Sequence, residues 1–152
     1  MKILEKDPHS QDAFEMMEEL SETLMKITGD SGKSSFNVDD ISDARAVFVV
    51  AYDDEGDAVG CGAIRPINEN TAEVKRMYAK NKAKGVGTAI LSYLEGQAQK
   101  LRYSKFWLET RLVNKRAVVF YERRGYHRID NYGKYANRAE AVCFEKVVTV
   151  CK

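Results

Sequence analysis

The sequence predicts an α+β domain, in which a mixed, mostly antiparallel β-sheet is flanked by helices. Two patterns along the chain predict it. Runs of β-branched and aromatic residues separated by turn residues occupy residues 44–79, which is typical of an antiparallel meander. Residues 71–110 then give a strand pattern, a helix pattern and another strand pattern, an order that favours one parallel strand pair.

The first predicted helix lies between Ser10, a suitable N-cap, and Gly29, which ends it. Its apolar residues recur at three- and four-residue steps: Phe14, Met17, Leu20, Leu24 and Ile27. The following loop, GDSGKSS, invites comparison with a phosphate-binding loop. A Walker-type loop needs four residues between its glycines, whereas Gly29 and Gly32 are separated by two residues and follow a helix. We therefore interpret GDSGKSS as an ordinary surface loop.

Four strands are predicted in the first half of the chain. Residues 2–6 can form a short edge strand. Residues 44–52 and 58–64 form two strands joined by the hairpin turn DDEGD, and residues 71–79 form a third strand of the meander.

The second half of the chain alternates helices with strands. In order, the predicted elements are a helix at residues 86–101 with apolar Ala89, Ile90, Leu91 and Leu94, a strand at 105–110, a helix at 114–124, and strands at 126–129 and 141–150. Asn114 caps the helix at 114–124 and Gly125 stops it. Its inward-facing candidates are Ala117, Phe120 and Tyr121.

Length and composition predict one globular domain over residues 1–152, since 44% of the residues are apolar and only two are proline. Charge is divided unevenly along the chain. Residues 1–74 contain 6 basic and 17 acidic side chains, and residues 75–134 contain 15 basic and 4 acidic side chains. Two interpretations stay open. Both segments can be solvated faces, or the basic segment can bind a polyanionic ligand while the acidic segment attracts a cation.

The three cysteines, Cys61, Cys143 and Cys151, have no paired short spacing. This predicts free thiols in a reducing compartment, with neither a disulfide framework nor a metal site. The N-terminus MKILEKDPHSQD lacks the apolar region of a signal peptide, and no apolar run reaches the roughly 18 residues of a membrane span. We expect a cytoplasmic protein that does not bind a membrane.

A candidate ligand site lies where the strand at 71–79 passes through a basic loop into the helix at 86–101. The turn contains Lys82, Lys84, Gly85, Val86 and Gly87, and Thr88 follows it. A helix N-terminus offers unpaired N–H groups and a partial positive charge, and glycine lets a ligand approach the backbone. The residues alone indicate that a phosphate could bind here.

Two motifs in succession resemble those of the GNAT superfamily of N-acetyltransferases, over nearly the whole chain. Residues 82–87, KAKGVG, resemble the acyl-CoA signature Gln/Arg-x-x-Gly-x-Gly/Ala between a strand and a long helix. Residues 114–126, NKRAVVFYERRGY, resemble the second motif N-x-x-A…Y-x-x-x-G-F/Y. The chain departs from the family at Lys82 and Ala83 and in a loop about two residues shorter. Lysine keeps the charge of arginine but loses its planar fork.

The resemblance implies a sheet of six or seven strands with helices on both faces and a splayed parallel pair in the middle. It also implies acetyl-CoA as cosubstrate. Backbone N–H groups at 85–88, beside Lys82 and Lys84, would face the pyrophosphate, and backbone groups of Met77 and Ala79 would bind the pantetheine arm. An N–H there can also donate to the thioester carbonyl. Packing in the core is the structural alternative for Met77.

Two further cofactor contacts follow from the resemblance. Tyr121 occupies the helix position of the family's general acid. A phenol with a pKa near 10 stays protonated at neutral pH, so it can protonate the departing thiolate. The alternative is a packed aromatic residue. Asn114 is a helix cap and a candidate contact to the cofactor arm.

An amine substrate is mostly protonated at pH 7, so a base is needed to remove a proton before the nitrogen can attack. Glu73 occupies the strand position where some family members place a glutamate base, and Glu109 is a second candidate. The alternative for Glu73 is an ion pair with Lys75 or Arg65. An acyl-cysteine intermediate is disfavoured because neither Cys61 nor Cys143 has a histidine partner in the sequence.

The predicted function is transfer of an acetyl group from acetyl-CoA to a primary amine of a small molecule, with an amino-acid-like acceptor as one candidate, by direct attack in a ternary complex. Residues 64–66 and 131–135 are expected to border the acceptor cleft. The alternative is a non-catalytic acyl-CoA sensor with the same fold. Nucleic acid is not an expected partner, since the basic residues are spread over loop, helix and strand without a stacking array. Homodimers are frequent in the resembled family.

Overall fold

The computed structural model describes residues 1–33, 43–80 and 85–148, and within them seven strands and three α-helices. In chain order they are β1 (Lys2–Glu5), α1 (Gln11–Thr28), β2 (Val47–Tyr52), β3 (Ala58–Pro66), β4 (Thr71–Ala79), α2 (Val86–Lys100), β5 (Lys105–Arg111), α3 (Lys115–Arg123), β6 (His127–Ile129) and β7 (Ala141–Val147). A single 3₁₀ turn, Gly133–Tyr135, lies between β6 and β7. The last strand ends before Val150, and residues 149–152 lie outside the described residues.

One sheet contains all seven described strands, in the order β1-β2-β3-β4-β5-β7-β6. Every neighbouring pair is antiparallel except β4 and β5, which confirms the α+β class and the parallel pair. β4 and β5 pair only from Thr71↔Lys105 to Glu73↔Trp107 and separate beyond that point. The splayed pair is therefore present in the middle of the sheet.

Helices cover both faces of this sheet. α2 buries Ile90, Leu91 and Leu94 in the larger apolar core, together with alternate residues of the central strands, such as Val49, Ile64 and Val74. α1 buries Ala13, Met16 and Met17 on the opposite face, together with Phe48, Val50 and Ala63. Because side chains alternate along a strand, a strand buried on both faces reads as a continuous apolar run, as residues 47–51 do.

The predicted ends of α1 are confirmed, but the residues that the helix buries are not all those that the apolar spacing selects. The Ser10 hydroxyl accepts a hydrogen bond from the Ala13 N–H at 3.3 Å, and Gly29 ends the helix with φ 79°. Phe14 and Ile27 are 56% and 42% exposed, while the small residues Ala13 and Ser21 are buried.

A β-bulge in β4 explains part of this difference. The register with β3 skips between Cys61↔Tyr78 and Ala63↔Lys75, and Arg76 has φ 54°. The Arg76 side chain passes beneath α1, where Nη2 donates to the Met17 carbonyl at 2.9 Å and to the Ser21 hydroxyl at 2.6 Å. A small, polar helix face is needed to accommodate this guanidinium.

No helix within residues 1–33, 43–80 and 85–148 combines the length and the apolar character that a membrane span requires.

Candidate active site

The separation of β4 from β5 opens a cleft in the middle of the sheet. Its cavity volume is about 150 Å³. α1, β4, β5, α3 and the loop after β6 all contribute to its walls, which contain Val74, Lys75, Met77, Glu109, Arg111, Asn114, Tyr121, Tyr135 and Arg138. The segment 131–135 contributes Tyr135, as expected for the acceptor side, and the loop after α1 contributes Asp30 and Gly32.

The backbone of β4 beyond the bulge faces this cleft at alternate residues. The Lys80 N–H donates to the Val59 carbonyl of the β3 segment at 2.8 Å. Because backbone groups alternate along a strand, Tyr78 faces β3 in the same way, and Met77 and Ala79 face the side on which β5 has already diverged. The structure thus places both predicted residues on the open edge of β4.

The glycine turn lies at the N-terminus of α2. Gly85 is the N-cap with φ 80°, and its carbonyl accepts the first helical hydrogen bond, from the Ala89 N–H at 2.9 Å. The N–H groups of Val86, Gly87 and Thr88 precede that bond, so the helix offers them no carbonyl partner. Lys82 and Lys84, which were predicted beside this turn, lie outside the described residues.

Arg124 adds a positive charge at the same helix terminus and was not predicted from the sequence. Its guanidinium lies 4.9 Å from the centre of the Phe120 ring. Its Nε donates to the Thr88 hydroxyl at 3.2 Å, and its Nη2 makes a further, shorter hydrogen bond to that oxygen. An arginine near the end of α3 thus contacts the first turn of α2, beside the predicted phosphate site.

Tyr121 and Asn114 reach the cleft from α3. The Tyr121 side chain is buried among edge-on contacts with Phe120 and Tyr126, at ring separations of 5.2 and 5.6 Å. Within the described part of the chain its hydroxyl makes no hydrogen bond, and burial raises its pKa above the usual value, so it stays protonated at neutral pH. The Asn114 side-chain oxygen accepts from the Ala117 N–H at 3.3 Å, which confirms the cap.

Glu73 is not among the residues that line the cleft. Its carboxylate is buried, and one oxygen accepts from the Arg65 Nε and lies 2.9 Å from the Arg65 Nη2. The other oxygen accepts from the Tyr132 hydroxyl at 2.6 Å. The ion pair with Arg65, which was the structural alternative for Glu73, is present. These contacts occupy both oxygens.

Glu109 lies in the cleft wall, and its environment differs from that of Glu73. Its side chain is 14% exposed, and the nearest cationic nitrogen is the Arg111 Nε at 3.8 Å. No donor among the described residues is within hydrogen-bond distance of its carboxylate. Burial raises the pKa of Glu109, and the nearby charges of Lys75 and Arg111 oppose that shift.

Lys75 faces the same space from β4. Its Nζ donates to the Tyr135 hydroxyl at 3.1 Å. Burial lowers the pKa of Lys75 to about 8, partly offset by Glu73. A lysine with this pKa changes its charge just above neutral pH, unlike an exposed lysine.

Three further charged residues complete the cleft. Arg111 pairs with Asp30 at 2.8 Å, which joins β5 to the loop after α1. Arg138 lines the cleft from the loop after β6 and is exposed. Sequence reasoning did not single out these residues. Alternation along β5 could have placed Glu109 and Arg111 on one face, but the other elements that meet there are distant in sequence.

Two cysteines belong to the described residues, and neither lines this cleft, while Cys151 lies outside the described residues. Cys61 is fully buried, its thiol donates to the Arg76 carbonyl at 3.2 Å, and burial raises its pKa to about 12. Burial likewise raises the pKa of Cys143. Both remain protonated thiols at neutral pH, and neither is poised to act as a nucleophile.

Comparison with known proteins gives consistent matches. A model of the acetyltransferase (GNAT) family matches residues 13–126. An uncharacterized N-acetyltransferase of Schizosaccharomyces pombe is 29% identical over 89 residues, or 57% of this chain and 55% of that protein. The matched region thus spans about half the length of this curated relative.

Solved structures match over almost the whole chain. A Klebsiella pneumoniae protein assigned as an acyl-CoA N-acyltransferase has a TM-score of 0.81 at 23% identity, covering 97% of both chains. An N-acetyltransferase of Thermoplasma acidophilum, solved in complex with coenzyme A, has a TM-score of 0.72 at 17% identity, covering 97% of this chain and 100% of that chain. At these identities the matches establish a shared fold.

Proposed function

The chain belongs to the acetyltransferase (GNAT) family, and on this basis we propose that it transfers an acetyl group from acetyl-CoA to the primary amine of a small molecule by direct attack in a ternary complex. The observation that carries this proposal is the cleft between β4 and β5. It contains the edge of β4 that β5 leaves unpaired within the described residues, and a buried, protonated tyrosine hydroxyl. The neighbouring helix α3 contacts the first turn of α2 through Arg124 and Thr88.

The residues present fit coenzyme A. The αL conformation of Gly85 begins α2 with an exposed glycine, and a Cβ at that position would meet no atom within 4 Å, so a ligand has room to approach the backbone. The pyrophosphate would be held by the N–H groups of Val86, Gly87 and Thr88, with Lys82 and Lys84 beside them. Met77, Ala79 and Asn114 would hold the pantetheine arm.

The chain's own groups would supply two elements of the chemistry. Acetyl-CoA brings the activated acetyl group. An N–H on the open edge of β4, at Met77 or Ala79, would donate to the carbonyl oxygen as negative charge develops on it. The Tyr121 hydroxyl would hold a proton for the departing sulfur, and its burial keeps that proton in place before the reaction.

An amino-acid-like acceptor is supported by the charges at the cleft. Arg138 and Lys75 provide cationic groups for a carboxylate, and Glu109 provides an anionic group for an ammonium. Tyr135 lines the same cleft and accepts a hydrogen bond from Lys75. The buried free thiols of Cys61 and Cys143 are consistent with a cytoplasmic protein. A homodimer would be in keeping with the family, in which homodimers are frequent.

A thiol-release assay with acetyl-CoA and a panel of amines tests the proposal. We expect turnover with at least one small primary amine and an acetylated product detectable by mass spectrometry. Calorimetric binding of acetyl-CoA with no turnover on any amine would instead favour an acyl-CoA sensor. Absence of acetyl-CoA binding would contradict both functions.

A further inference from the structure

Two carboxylates lie near the point where β4 and β5 diverge, and they differ in what they can still bind. Glu73 is 4% exposed at its side chain, and Arg65 and Tyr132 occupy its oxygens at 2.6–2.9 Å. Glu109 is partly buried in the cleft wall, and no donor in the described ranges reaches it. A carboxylate that lines a cleft and accepts no hydrogen bond from the described protein can bind a donor that enters the cleft.

We propose that Glu109 is the general base of the reaction: it binds the ammonium group of the acceptor and takes its proton. This inference rests on the proposed acetyltransferase function. The acceptor ammonium would supply the hydrogen bonds that the carboxylate lacks in the described chain. Tyr121, the candidate acid, lies in the same cleft, so acid and base can act on one substrate complex.

Charged and titratable groups face Glu109 from several elements. Lys75 on β4 and Arg111 on β5 favour its ionised form, and Arg138 in the loop after β6 acts in the same direction. Glu73 on β4 opposes ionisation. Cys143 is the register partner of Glu109 on β7, and its thiol is neutral because burial raises its pKa.

Burial and the surrounding charges act in opposite directions on the pKa of Glu109, and the net effect suits a general base. Burial is the largest influence, and the pKa of Glu109 is raised from its ordinary value. A carboxylate with a raised pKa is a stronger base than an exposed carboxylate, and the cations around Glu109 favour its ionised form. A carboxylate held by a guanidinium and a phenol, as Glu73 is, has neither the free oxygen nor the access.

The proton and electron balance of the step is complete. The acceptor ammonium gives one proton to the Glu109 carboxylate, and the nitrogen lone pair forms the N–C bond with the acetyl carbon. The C–S bond breaks, and the sulfur takes the proton of the Tyr121 hydroxyl. The second nitrogen proton restores Tyr121 by way of water. The products are the acetamide, the free thiol and a protonated Glu109, which releases its proton to solvent.

The test compares Glu109→Gln with two matched carboxamide variants. Glu140→Gln is the control for charge, because the Glu140 carboxylate also lies beside Arg111, at 3.9 Å, but is 47% exposed and outside the cleft lining. Glu73→Gln tests the other carboxylate. For each variant we would measure acetyl-CoA binding, and kcat/KM for one accepted amine from pH 6 to pH 10.

We expect Glu109→Gln to bind acetyl-CoA like the wild type and to lose about 10²-fold or more in kcat/KM near pH 7. The deficit should shrink about tenfold per pH unit up to the pKa of the acceptor amine, because the variant can use only acceptor that is already unprotonated. Glu109 is one of the charges that raise the pKa of Lys75, so the titration of Lys75 differs between the two proteins. The same profiles are therefore measured for Lys75→Met with and without Glu109→Gln, and their ratio contains no lysine titration. A purely structural role would lower the rate by the same factor at every pH.

The outcomes separate the two proposals. A wild-type protein that turns over no amine would overturn the acetyltransferase function itself. An active wild type with an equally active Glu109→Gln variant, or with a deficit independent of pH, would overturn the role of Glu109 alone. If Glu73→Gln, and not Glu109→Gln, shows a pH-dependent loss of kcat/KM, the base is Glu73.

Discussion

Replacing Glu73 by glutamine should destabilise the protein far more than it slows turnover. The side chain is 4% exposed, and its charge neutralises Arg65, which is 20% exposed. Glutamine keeps the volume and can still accept from the Tyr132 hydroxyl, which now lies 2.6 Å from the carboxylate. The variant therefore removes chiefly the negative charge that the Arg65 guanidinium contacts.

The magnitude follows from this burial. Breaking a buried ion pair by removing one partner costs about 3–5 kcal/mol. Because Arg65 retains some access to water, we expect the lower end of that range, about 3 kcal/mol. For a domain of this size each kcal/mol shifts Tm by about 2–4 °C, so the expected decrease is about 6–12 °C.

Thermal unfolding and turnover on the same samples provide the assay. Turnover is measured well below the Tm of the variant and normalised to folded protein, and we expect it to fall less than about tenfold, compared with 10²-fold or more for loss of a base. Glu109→Gln is the matched comparison, since the Glu109 carboxylate has no hydrogen bond to lose within the described chain, and its Tm should change little. An unchanged Tm in Glu73→Gln with a large loss of turnover would refute the structural role.

Three further predictions concern the acid, the packing of α2 and the acceptor site. Tyr121→Phe should lower kcat about 10²-fold or more while changing acetyl-CoA affinity less than threefold, because only the proton donor is removed; equal kcat would exclude Tyr121 as the acid. Gly60→Ala should destabilise by about 1–3 kcal/mol in denaturant unfolding, since its Cβ would lie 2.5 Å from the Tyr78 carbonyl oxygen. Gly96→Ala in α2 is the control, with no atom within 4 Å, and should stabilise by about 0.5–1 kcal/mol; equal effects would contradict the packing. Lys75 is a cation below its pKa of about 8 and neutral above it, so KM for a carboxylate-bearing acceptor should rise above pH 8. Lys75→Met should remove that dependence, and an unchanged profile would exclude Lys75 from acceptor binding.

Local signals in the sequence predicted much of the fold. The caps at Ser10 and Asn114 depend on a side chain and an N–H three residues apart, so no distant contact was needed. The parallel pairing of β4 with β5 followed from the intervening helix, and the register from Thr71↔Lys105 confirms it.

The buried face of α1 could not be predicted from local signals in the sequence. The helix has apolar residues on more than one face, and the choice between them depends on Arg76, which reaches it from a bulge more than fifty residues away in sequence. A bulge at a non-glycine residue leaves no clear sequence signal. The apolar spacing therefore includes Phe14 and Ile27, although both are exposed.

The charges of the cleft were the least predictable part of the site. Alternation along β4 places Glu73 and Lys75 on one face, but not the choice of Arg65 over Lys75 as the partner of Glu73. The isolation of the Glu109 carboxylate depends on how far β5 diverges and on the loop that supplies Tyr135 and Arg138. Such distances are properties of tertiary packing.

Titration of the isotopically labelled protein with coenzyme A, followed by backbone amide NMR shifts, tests the central claim most directly, because it locates the ligand without assuming turnover. The largest shifts should fall on Met77, Ala79 and residues 85–88, with smaller ones at Asn114. The β2–β3 turn at residues 53–57 should stay unchanged and serves as the internal reference. Binding with its main shifts away from the β4–β5 cleft, or no shift at saturating coenzyme A, would contradict the assignment of this cleft as the acetyl-transfer site.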